Sequence, residues 1–383
     1  MKVYLDNAAT TKIDSRVLAK MQVYFKQEYG NASSIHFMGQ NNDLVINDCK
    51  NRIAKLLGVE AKQIIFTAGA TEANNFIIKG VMRANTKKGN HLIVSAFEHP
   101  CVLNSAAELS AEGFKVDYAP VDKNGLVKID ELAKMIKPAT VLVSIMAVNN
   151  EIGVVQDLAK ISKLVKAKGA LFHTDAVQAI PYLKIDVAKL KIDYLSLSAH
   201  KFYGPLGVGV ALINPKVRIK PLITGGGQEN NLRAGTYNVP GIVGLTMALE
   251  LAYKERDKYL KQVKALRDYL YAQIKKQIPN VRLNGSLTKR TPNNLNLMFN
   301  KIEGEAILMD LSFKGICVST GSACSAQNLR TSATLRALGI GEDYLNSNIR
   351  FSLGKYNTKK EIDYTLKALK ATVERLRRFT AVK

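Results

Sequence analysis

Cysteine is scarce in this chain of 383 residues, and the four that occur, Cys49, Cys101, Cys317 and Cys324, are widely spaced. A disulfide scaffold needs a much higher density of cysteine, so we expect reduced thiols. Apolar runs are short as well, and none reaches the roughly 18 residues that cross a bilayer. The amino terminus lacks the apolar core of a signal peptide, so the cytoplasm is the expected location and no membrane partner is expected.

Acidic residues are in deficit, because 32 Asp and Glu stand against 55 Lys and Arg and give a formal net charge of +23. Such an excess raises nucleic acid as a partner hypothesis. The basic residues are nevertheless scattered in pairs such as Lys87-Lys88 and Arg377-Arg378, without a long basic run or zinc-finger spacing. We interpret the charge mainly as solvated surface, and direct nucleic-acid binding is the less favoured alternative.

Internal repeats and low-complexity segments are missing too, and the balance of 47% hydrophobic to 23% charged residues is that of an ordinary globular protein. A helix is predicted over roughly Asp43 to Leu57. Between residues 63 and 213, short apolar runs rich in β-branched residues alternate with helical segments. This alternation predicts the α/β class, with a mostly parallel sheet covered on both faces. The length exceeds one ordinary core, so we predict a large domain over residues 15–258 and a smaller α+β domain made of 1–14 and 259–383.

Several elements of the smaller domain can be read from the pattern. A long helix is predicted over residues 241–278, and a strand is predicted at 294–299. The last helix opens with the capping box Thr358-x-x-Glu361 and carries an apolar stripe with alternating spacings of four and three residues. Its members are Ile362, Leu366, Leu369, Val373 and Leu376.

The most informative stretch is Ser198-Ala199-His200-Lys201-Phe202-Tyr203-Gly204-Pro205, which follows an apolar strand over residues 194–197. Lys201 thus stands just past the carboxyl end of a strand, where open α/β sheets bind their ligands. An ordinary surface lysine is the alternative in so basic a chain. The segment is similar, however, to the Schiff-base lysine segment of fold-type I pyridoxal 5'-phosphate (PLP) enzymes, which also need a carboxylate for the pyridine nitrogen and an anion site for the phosphate.

Three further candidate residues for binding a PLP cofactor follow or end predicted strands. Asp175 ends the strand that begins at residue 170 and could hold the pyridinium nitrogen, although a helix cap is the common role of such an Asp. Thr71 lies at a helix start, where free N–H groups favour a phosphate. His99 could lie over the ring as an acid or base, and a structural histidine is its alternative.

Ten motifs along the chain share their order and content with one family. They are Tyr-Leu-Asp-Asn-Ala-Ala-Thr-Thr at 4–11, Gly-Asn-Ala-Ser-Ser-Ile-His at 30–36, Phe-Thr-Ala-Gly-Ala-Thr-Glu at 66–72, Glu-His-Pro at 98–100, Val-Asn-Asn-Glu-Ile-Gly at 148–153, Thr-Asp-Ala-Val-Gln at 174–178, Ser-Ala-His-Lys at 198–201, Arg-Ala-Gly-Thr at 233–236, Gly-Ser-Ala-Cys-Ser at 321–325 and Ile-Arg-Phe-Ser at 349–352. The chain therefore resembles cysteine desulfurases of the NifS/IscS type, within the class V aminotransferase group of fold-type I PLP enzymes.

The resemblance implies PLP as the cofactor, L-cysteine as the substrate and a homodimer. Lys201 would bind PLP covalently and Asp175 would pair with its pyridine nitrogen. Gln178 and Asn150 would hydrogen-bond the phenolic oxygen and its surroundings, and His99 would stack on the ring. No residue is assigned to a metal.

The resemblance also implies a phosphate site and a substrate site. The phosphate would be held by the Ala70 N–H, Thr71, Ser198 and His200, together with Thr236 from a second subunit. For the substrate, Arg350 would bind the carboxylate bidentately with help from Asn31.

Cys324 is the candidate nucleophile, since its small and polar neighbours suit a mobile loop that exposes a reactive thiolate. Cys317, between Ile316 and Val318, is predicted to be a buried core thiol. Cys324 would take the sulfur of L-cysteine as a persulfide, release L-alanine and pass the sulfur to an acceptor protein for iron–sulfur cluster assembly or tRNA thiolation.

Two departures from the family pattern stand outside this chemistry. They are Gln40 after Gly39 and Leu329-Arg330-Thr331-Ser332 after the cysteine, and the second could alter how partners dock. Selenocysteine lyase and aminotransferase activities are the alternatives on the same fold. An aminotransferase would not need the Gly-Ser-Ala-Cys segment.

Overall fold

The structure is a computed structural model, and it describes residues 1–321 and 332–380. Its strands are, in chain order, β1 (Val3–Tyr4), β2 (Ile64–Thr67), β3 (His91–Ser95), β4 (Lys115–Ala119), β5 (Thr140–Ser144), β6 (Leu171–Asp175), β7 (Tyr194–Ser198), β8 (Gly209–Leu212), β9 (Val281–Leu283), β10 (Asn294–Phe299), β11 (Ile316–Cys317) and β12 (Asn348–Ser352). Its helices are α1 (Ser15–Lys26), α2 (Phe37–Leu57), α3 (Ala70–Ala84), α4 (Pro100–Ala111), α5 (Ile129–Met135), α6 (Leu158–Ala167), α7 (Val239–Gln277), α8 (Gly304–Phe313), α9 (Ala333–Ala337) and α10 (Lys359–Thr380).

A seven-stranded sheet in the order β2-β8-β7-β6-β5-β3-β4 forms the centre of the molecule. Within this sheet β8 runs antiparallel to its neighbours β2 and β7, and the remaining pairs are parallel. Strands β3, β5, β6 and β7 are buried along their whole length, as expected where helices cover both faces of a parallel sheet. The predicted α/β fold class with a mostly parallel sheet is confirmed.

The parallel direction of the strands gathers the functional candidates at one edge of the sheet. The carboxyl ends of β2, β3, β5, β6 and β7 lie on this edge, since these strands run the same way. Each is followed by, or ends in, a candidate residue. These are Thr71 after β2, His99 after β3, Asn150 after β5, Asp175 in β6 and Lys201 after β7.

A second hydrophobic cluster lies outside the large sheet and combines the two ends of the chain. Strand β1 pairs with β11, and β9, β10 and β12 form an antiparallel sheet. The side chains of Val3 and Leu5 are buried in this cluster together with those of Phe351 and Leu353. The amino-terminal segment is therefore held by the same core that carries β12, the strand of Arg350.

Helix α10 covers this second cluster as the sequence predicts. The Thr358 N–H donates to Glu361 Oε2 at 2.7 Å and the Glu361 N–H donates to Thr358 Oγ1 at 3.3 Å, so the predicted capping box is confirmed. Ile362, Leu366 and Leu369 of the predicted stripe are buried. No helix within residues 1–321 and 332–380 has the length and apolarity needed to cross a bilayer.

Two sequence predictions are wrong in detail. Helix α2 begins at Phe37, several residues before the predicted start at Asp43, because the His36 ring accepts the Gly39 N–H and caps the helix there. Cys317 is exposed and not a core thiol. Strand β11 alternates its side chains between two faces, so Ile316 points into the core and Cys317 points out.

Gly153 offers a test of how tightly the loop after β5 is built. Its φ is +68°, and an added Cβ would lie 2.4 Å from Asn294 Cβ. We expect Gly153→Ala to lower the free energy of unfolding by at least about 2 kcal/mol, from backbone strain plus overpacking. Gly169 is the matched control, because its φ is +76° but nothing lies within 4 Å of its added Cβ.

For Gly169→Ala we expect only the backbone cost, about 1 kcal/mol. Urea unfolding of the two variants measures the difference. Equal losses of unfolding free energy in the two variants would show that the contact with Asn294 does not affect stability.

Candidate active site

A cavity of about 520 Å³ opens at the carboxyl edge of the large sheet. Most of the residues that the sequence singles out line it. They are Ala70, Thr71, His99, Asn150, Asp175, Gln178, Ser198, His200, Lys201 and Arg350. Residues more than 200 positions apart in the sequence thus meet at one place.

Lys201 lies in a short 3₁₀ turn directly after β7. Its Nζ donates hydrogen bonds to the carbonyl oxygens of Ala8, at 2.7 Å, and Ala9. The next residues of the amino-terminal segment continue the contact, since the Thr11 N–H donates to the His200 carbonyl at 2.9 Å. The lysine is therefore held at the cavity wall by the first residues of the chain, and it is not an ordinary surface lysine.

Asp175 is buried, with 5% of its surface exposed, at the end of β6. Its Oδ1 accepts the Val177 N–H at 2.9 Å in the turn that follows β6, so Asp175 caps a turn and not a helix. Its Oδ2 accepts Asn74 Nδ2 at 2.7 Å, and Asn74 Oδ1 in turn accepts the Ser196 hydroxyl. These bonds fix the orientation of a carboxylate that borders the cavity.

His99 has a structural role and a place in the cavity at the same time. It is the N-cap of α4, and its Nδ1 accepts the Cys101 N–H at 3.3 Å. Burial lowers the pKa of His99, the Lys201 charge lowers it further, and the Asp175 charge acts in the opposite direction. The ring therefore favours its neutral form.

The amino-terminal end of α3 forms a second wall of the cavity with Ser198 and His200. Gly69 is the N-cap and provides no side-chain acceptor, so the N–H groups of the first turn are not capped by it. A Cβ added to Gly69 would lie 3.7 Å from Ser198 Oγ, so the helix end and the hydroxyl are close. Burial lowers the pKa of His200 to about 4, with help from the Lys201 charge, so this histidine is neutral near pH 7.

Arg350 crosses from β12 to the cavity with only 1% of its surface exposed. Its Nη2 forms an ion pair with Asp6 Oδ1 at 2.7 Å, and its Nη1 donates to the Asn150 carbonyl at 2.9 Å. Its Nε is buried and has no hydrogen-bond partner among the described residues. A buried guanidinium with a spare donor at a cavity wall is suited to a carboxylate ligand.

Three predicted residues are not brought to this cavity in the described chain. Asn31 is exposed, and its Oδ1 accepts the Ser33 N–H at 2.9 Å. Thr236 is also exposed and does not line the cavity of its own chain. Cys324 lies outside the described residues.

Sequence reasoning missed Asn74, Cys101 and Asp6. Asn74 stands three residues after Thr71, one helical turn further along the same face of α3, which is the signal that could have found it. Cys101 lines the cavity, and burial together with the Asp175 charge raises its pKa to about 12, so it stays a thiol. Asp6 gives no local signal, because its partner Arg350 lies at the other end of the chain.

The donors and acceptors around the cavity fit a phosphorylated pyridine aldehyde. A lysine amine is available for the aldehyde, a buried carboxylate for the ring nitrogen, and helix N–H groups with a hydroxyl for the phosphate. All three are present in one cavity, on different elements whose positions the sheet fixes.

Known proteins resemble this chain over nearly its whole length. The family model for Aminotransferase class-V matches residues 3–365. The chain belongs to this family. It is 45% identical over 382 residues to the cysteine desulfurase IscS of Dictyoglomus turgidum. The alignment covers 100% of this chain and 97% of the relative. It is 47% identical over 378 residues to a probable mitochondrial cysteine desulfurase of Dictyostelium discoideum. This alignment covers 98% of this chain and 84% of the relative.

Solved structures agree with this assignment. A structure described as a NifS-like protein superposes with a TM-score of 0.93 at 42% identity and covers 98% of this chain and 100% of that chain. A structure of SspA in complex with cysteine gives a TM-score of 0.82 at 33% identity and covers 93% of this chain and 100% of that chain. The fold is thus that of fold-type I PLP enzymes, the predicted relationship to cysteine desulfurases is confirmed, and the family depends on PLP.

The hydrogen bond from Asn74 to Asp175 can be tested by two substitutions at one position. Asn74→Ala and Asn74→Asp both remove the Nδ2 donor, but only the second places a like charge against Asp175. We expect both variants to bind PLP more weakly, and Asn74→Asp to be weaker than Asn74→Ala by a further factor of about 10, since a like charge costs of order 1 kcal/mol or more here. Absorbance titration of the apoprotein with PLP measures this, and equal affinities in the two variants would contradict the electrostatic role.

Proposed function

We propose that this protein is a PLP-dependent cysteine desulfurase that converts L-cysteine to L-alanine and carries the sulfur as a persulfide on Cys324. The observation that carries the proposal is the single cavity in which Lys201, Asp175, His99 and Arg350 meet. It occurs in a chain that matches cysteine desulfurases over nearly its full length. The lysine and the aspartate account for PLP, and the arginine accounts for an amino-acid carboxylate.

The cofactor would be held by residues from every wall of the cavity. Lys201 would bind it covalently, Asp175 would pair with its pyridine nitrogen, and His99 would stack on its ring. Gln178 and Asn150 would bond the phenolic oxygen and its surroundings. The phosphate would be held by donors from Ala70, Thr71, Ser198 and His200, and by Thr236 of the partner subunit. Bound PLP supplies an electron sink that makes the Cβ–Sγ bond of the substrate labile.

The chain's own residues orient the substrate and move its protons. Arg350 would bind the substrate carboxylate through N–H groups not used by Asp6 and Asn150. Lys201, at the cavity wall, would take a proton from the substrate at its Nζ. His99, neutral and at the cavity wall, would donate a hydrogen bond to the reacting group and stabilise the charge that develops on it.

The sulfur transfer is complete without any further reagent. The Cys324 thiolate attacks the substrate sulfur, so an S–S bond forms while the Cβ–Sγ bond breaks. The electron pair of the broken bond stays with the carbon, which takes a proton and leaves as alanine. One L-cysteine and one enzyme thiol thus give one L-alanine and one enzyme persulfide, and no external oxidant or reductant is needed.

The proposal includes a homodimer. Ile35, just before α2, and Phe37, its first residue, are 92% and 72% exposed in the single chain, and Leu44, about two turns further along α2, is 67% exposed. Isolated chains rarely leave such a group of large apolar side chains in water, and a second copy would cover them. The exposed position of Thr236 suits the same arrangement, in which it serves the cavity of the other subunit.

The proposal also covers the sulfur acceptor, the cellular location and the domain division. The sulfur acceptor would be a protein of iron–sulfur cluster assembly or a tRNA thiolation enzyme. Cytoplasmic location is supported by the free thiols of Cys49, Cys101 and Cys317, which suit a reducing compartment. The division into a large domain of residues 15–258 and a small domain of 1–14 and 259–383 is supported by the separate hydrophobic cluster that joins both chain ends.

The proposal predicts that Cys324→Ala binds PLP and cysteine but releases no sulfide, because the groups that hold cofactor and substrate are intact. Sulfide and alanine release are measured in parallel with the absorbance of bound PLP. Cys317→Ala is the matched control, since this exposed thiol lies in the same region and its loss should change neither folding nor activity. Wild-type sulfide release by Cys324→Ala, or transamination of a keto acid at a comparable rate by the wild-type enzyme, would contradict the proposed function.

A further inference from the structure

His99 is an unusual choice of helix cap. Ser, Thr, Asp and Asn are the common N-cap residues, and each would satisfy the first free N–H of the helix. Here Pro100 occupies the first helical position and has no N–H, so the Cys101 N–H is the first one to need an acceptor. His99 Nδ1 accepts it at 3.3 Å. A histidine differs from the common caps because it has a second nitrogen on the opposite edge of the ring.

The capping bond determines where the proton of the ring must be. A backbone N–H can only donate, so Nδ1 must be unprotonated, and a neutral ring then carries its single proton on Nε2. The Cys101 thiol lies 3.1 Å from the same nitrogen. Since the pKa of this thiol is raised to about 12, it keeps its proton and does not require a proton on Nδ1.

The surroundings of His99 keep the ring neutral. Among the described residues, the charged and titratable groups that face it are Asp175 at the end of β6, Lys201 after β7 and the Cys101 thiol on α4. Burial and Lys201 lower its pKa, and Asp175 only partly opposes them. The amino-terminal end of α4, with its positive dipole, acts in the same direction as Lys201.

We propose that the backbone N–H of Cys101 is the positioning group that fixes His99 as the neutral Nε2–H tautomer, so that His99 meets the reacting atoms with a protonated Nε2. His99 then presents a neutral Nε2–H hydrogen-bond donor, and not an imidazolium, to the reacting atoms. This inference rests on the proposed function only for the identity of the reacting atoms, because the tautomer itself is a property of the protein.

The direct test is nitrogen NMR of the PLP-loaded enzyme labelled with ¹⁵N-histidine. The chain has five histidines, so His99→Gln identifies the signal of His99 by difference. We expect Nδ1 of His99 to give the resonance of an unprotonated ring nitrogen and Nε2 that of a protonated one at neutral pH. An imidazolium, or the Nδ1–H tautomer, in the wild-type enzyme would overturn the inference whatever the variants show.

Two substitutions of Cys101 separate its amide from its thiol. Cys101→Ala removes the thiol but keeps the N–H, so His99 should remain the Nε2–H tautomer. Cys101→Pro removes the N–H as well, at a first-turn position that tolerates proline. The Nε2–H tautomer should then lose its preference, and the pKa of His99 should rise because the donor that favours the neutral ring is gone. The acid limb of the pH profile of kcat/KM should move to higher pH in parallel.

Loss of the tautomer in Cys101→Ala, or its retention in Cys101→Pro, would show that the amide is not the positioning group. If Cys101→Pro does not fold, the wild-type spectrum and Cys101→Ala still decide the question. The readout is independent of the proposed reaction. An enzyme that shows the Nε2–H tautomer but does not act on cysteine would refute the function alone, and an active desulfurase with the other tautomer would refute this inference alone.

Discussion

The site depends on the contact between the first residues of the chain and the turn that carries Lys201. The carbonyls of Ala8 and Ala9 accept hydrogen bonds from Lys201 Nζ, and the same segment pairs Asp6 with Arg350. The lysine belongs to the large sheet, whereas Arg350 belongs to the small sheet at the other end of the sequence. One short segment thus sets the relative position of the group proposed to hold the cofactor and the group proposed to hold the substrate carboxylate.

The large sheet fixes the positions of the other candidate residues. Strands β3, β5, β6 and β7 are parallel, so their carboxyl ends lie at one edge of the sheet. The residues that follow or end these strands, His99, Asn150, Asp175 and Lys201, therefore lie close together at that edge. Hydrogen bonds then orient each side chain. Asp175 receives N–H groups from Val177 and Asn74, and His99 receives the N–H of Cys101. Polar groups buried in this way keep one orientation, since an unpaired alternative would cost about 1–3 kcal/mol per group.

Much of this arrangement could be predicted from the sequence, because it follows from local patterns. Apolar β-branched runs gave the strands, and the polar residues directly after them gave Thr71, His99, Asp175 and Lys201. Groups whose partners are distant in sequence could not be found in this way. Asp6 shows no sign of its pairing with Arg350, and the exposure of Cys317 depends on which face of a two-residue strand meets the core. The capping role of His36 moved the start of α2 for a similar reason, since histidine is not a usual cap.

The central claim is that Lys201 is the residue that binds PLP covalently, and it can be tested without any assay of sulfur transfer. Borohydride reduction of the PLP-loaded enzyme makes the linkage permanent, and peptide mapping by mass spectrometry then locates the pyridoxyl group. The account predicts a single modified peptide containing Lys201, and no modification in Lys201→Ala. A pyridoxyl group on another of the chain's lysines in the wild-type enzyme would contradict the account, because Lys201 is the lysine that lines this cavity within residues 1–321 and 332–380.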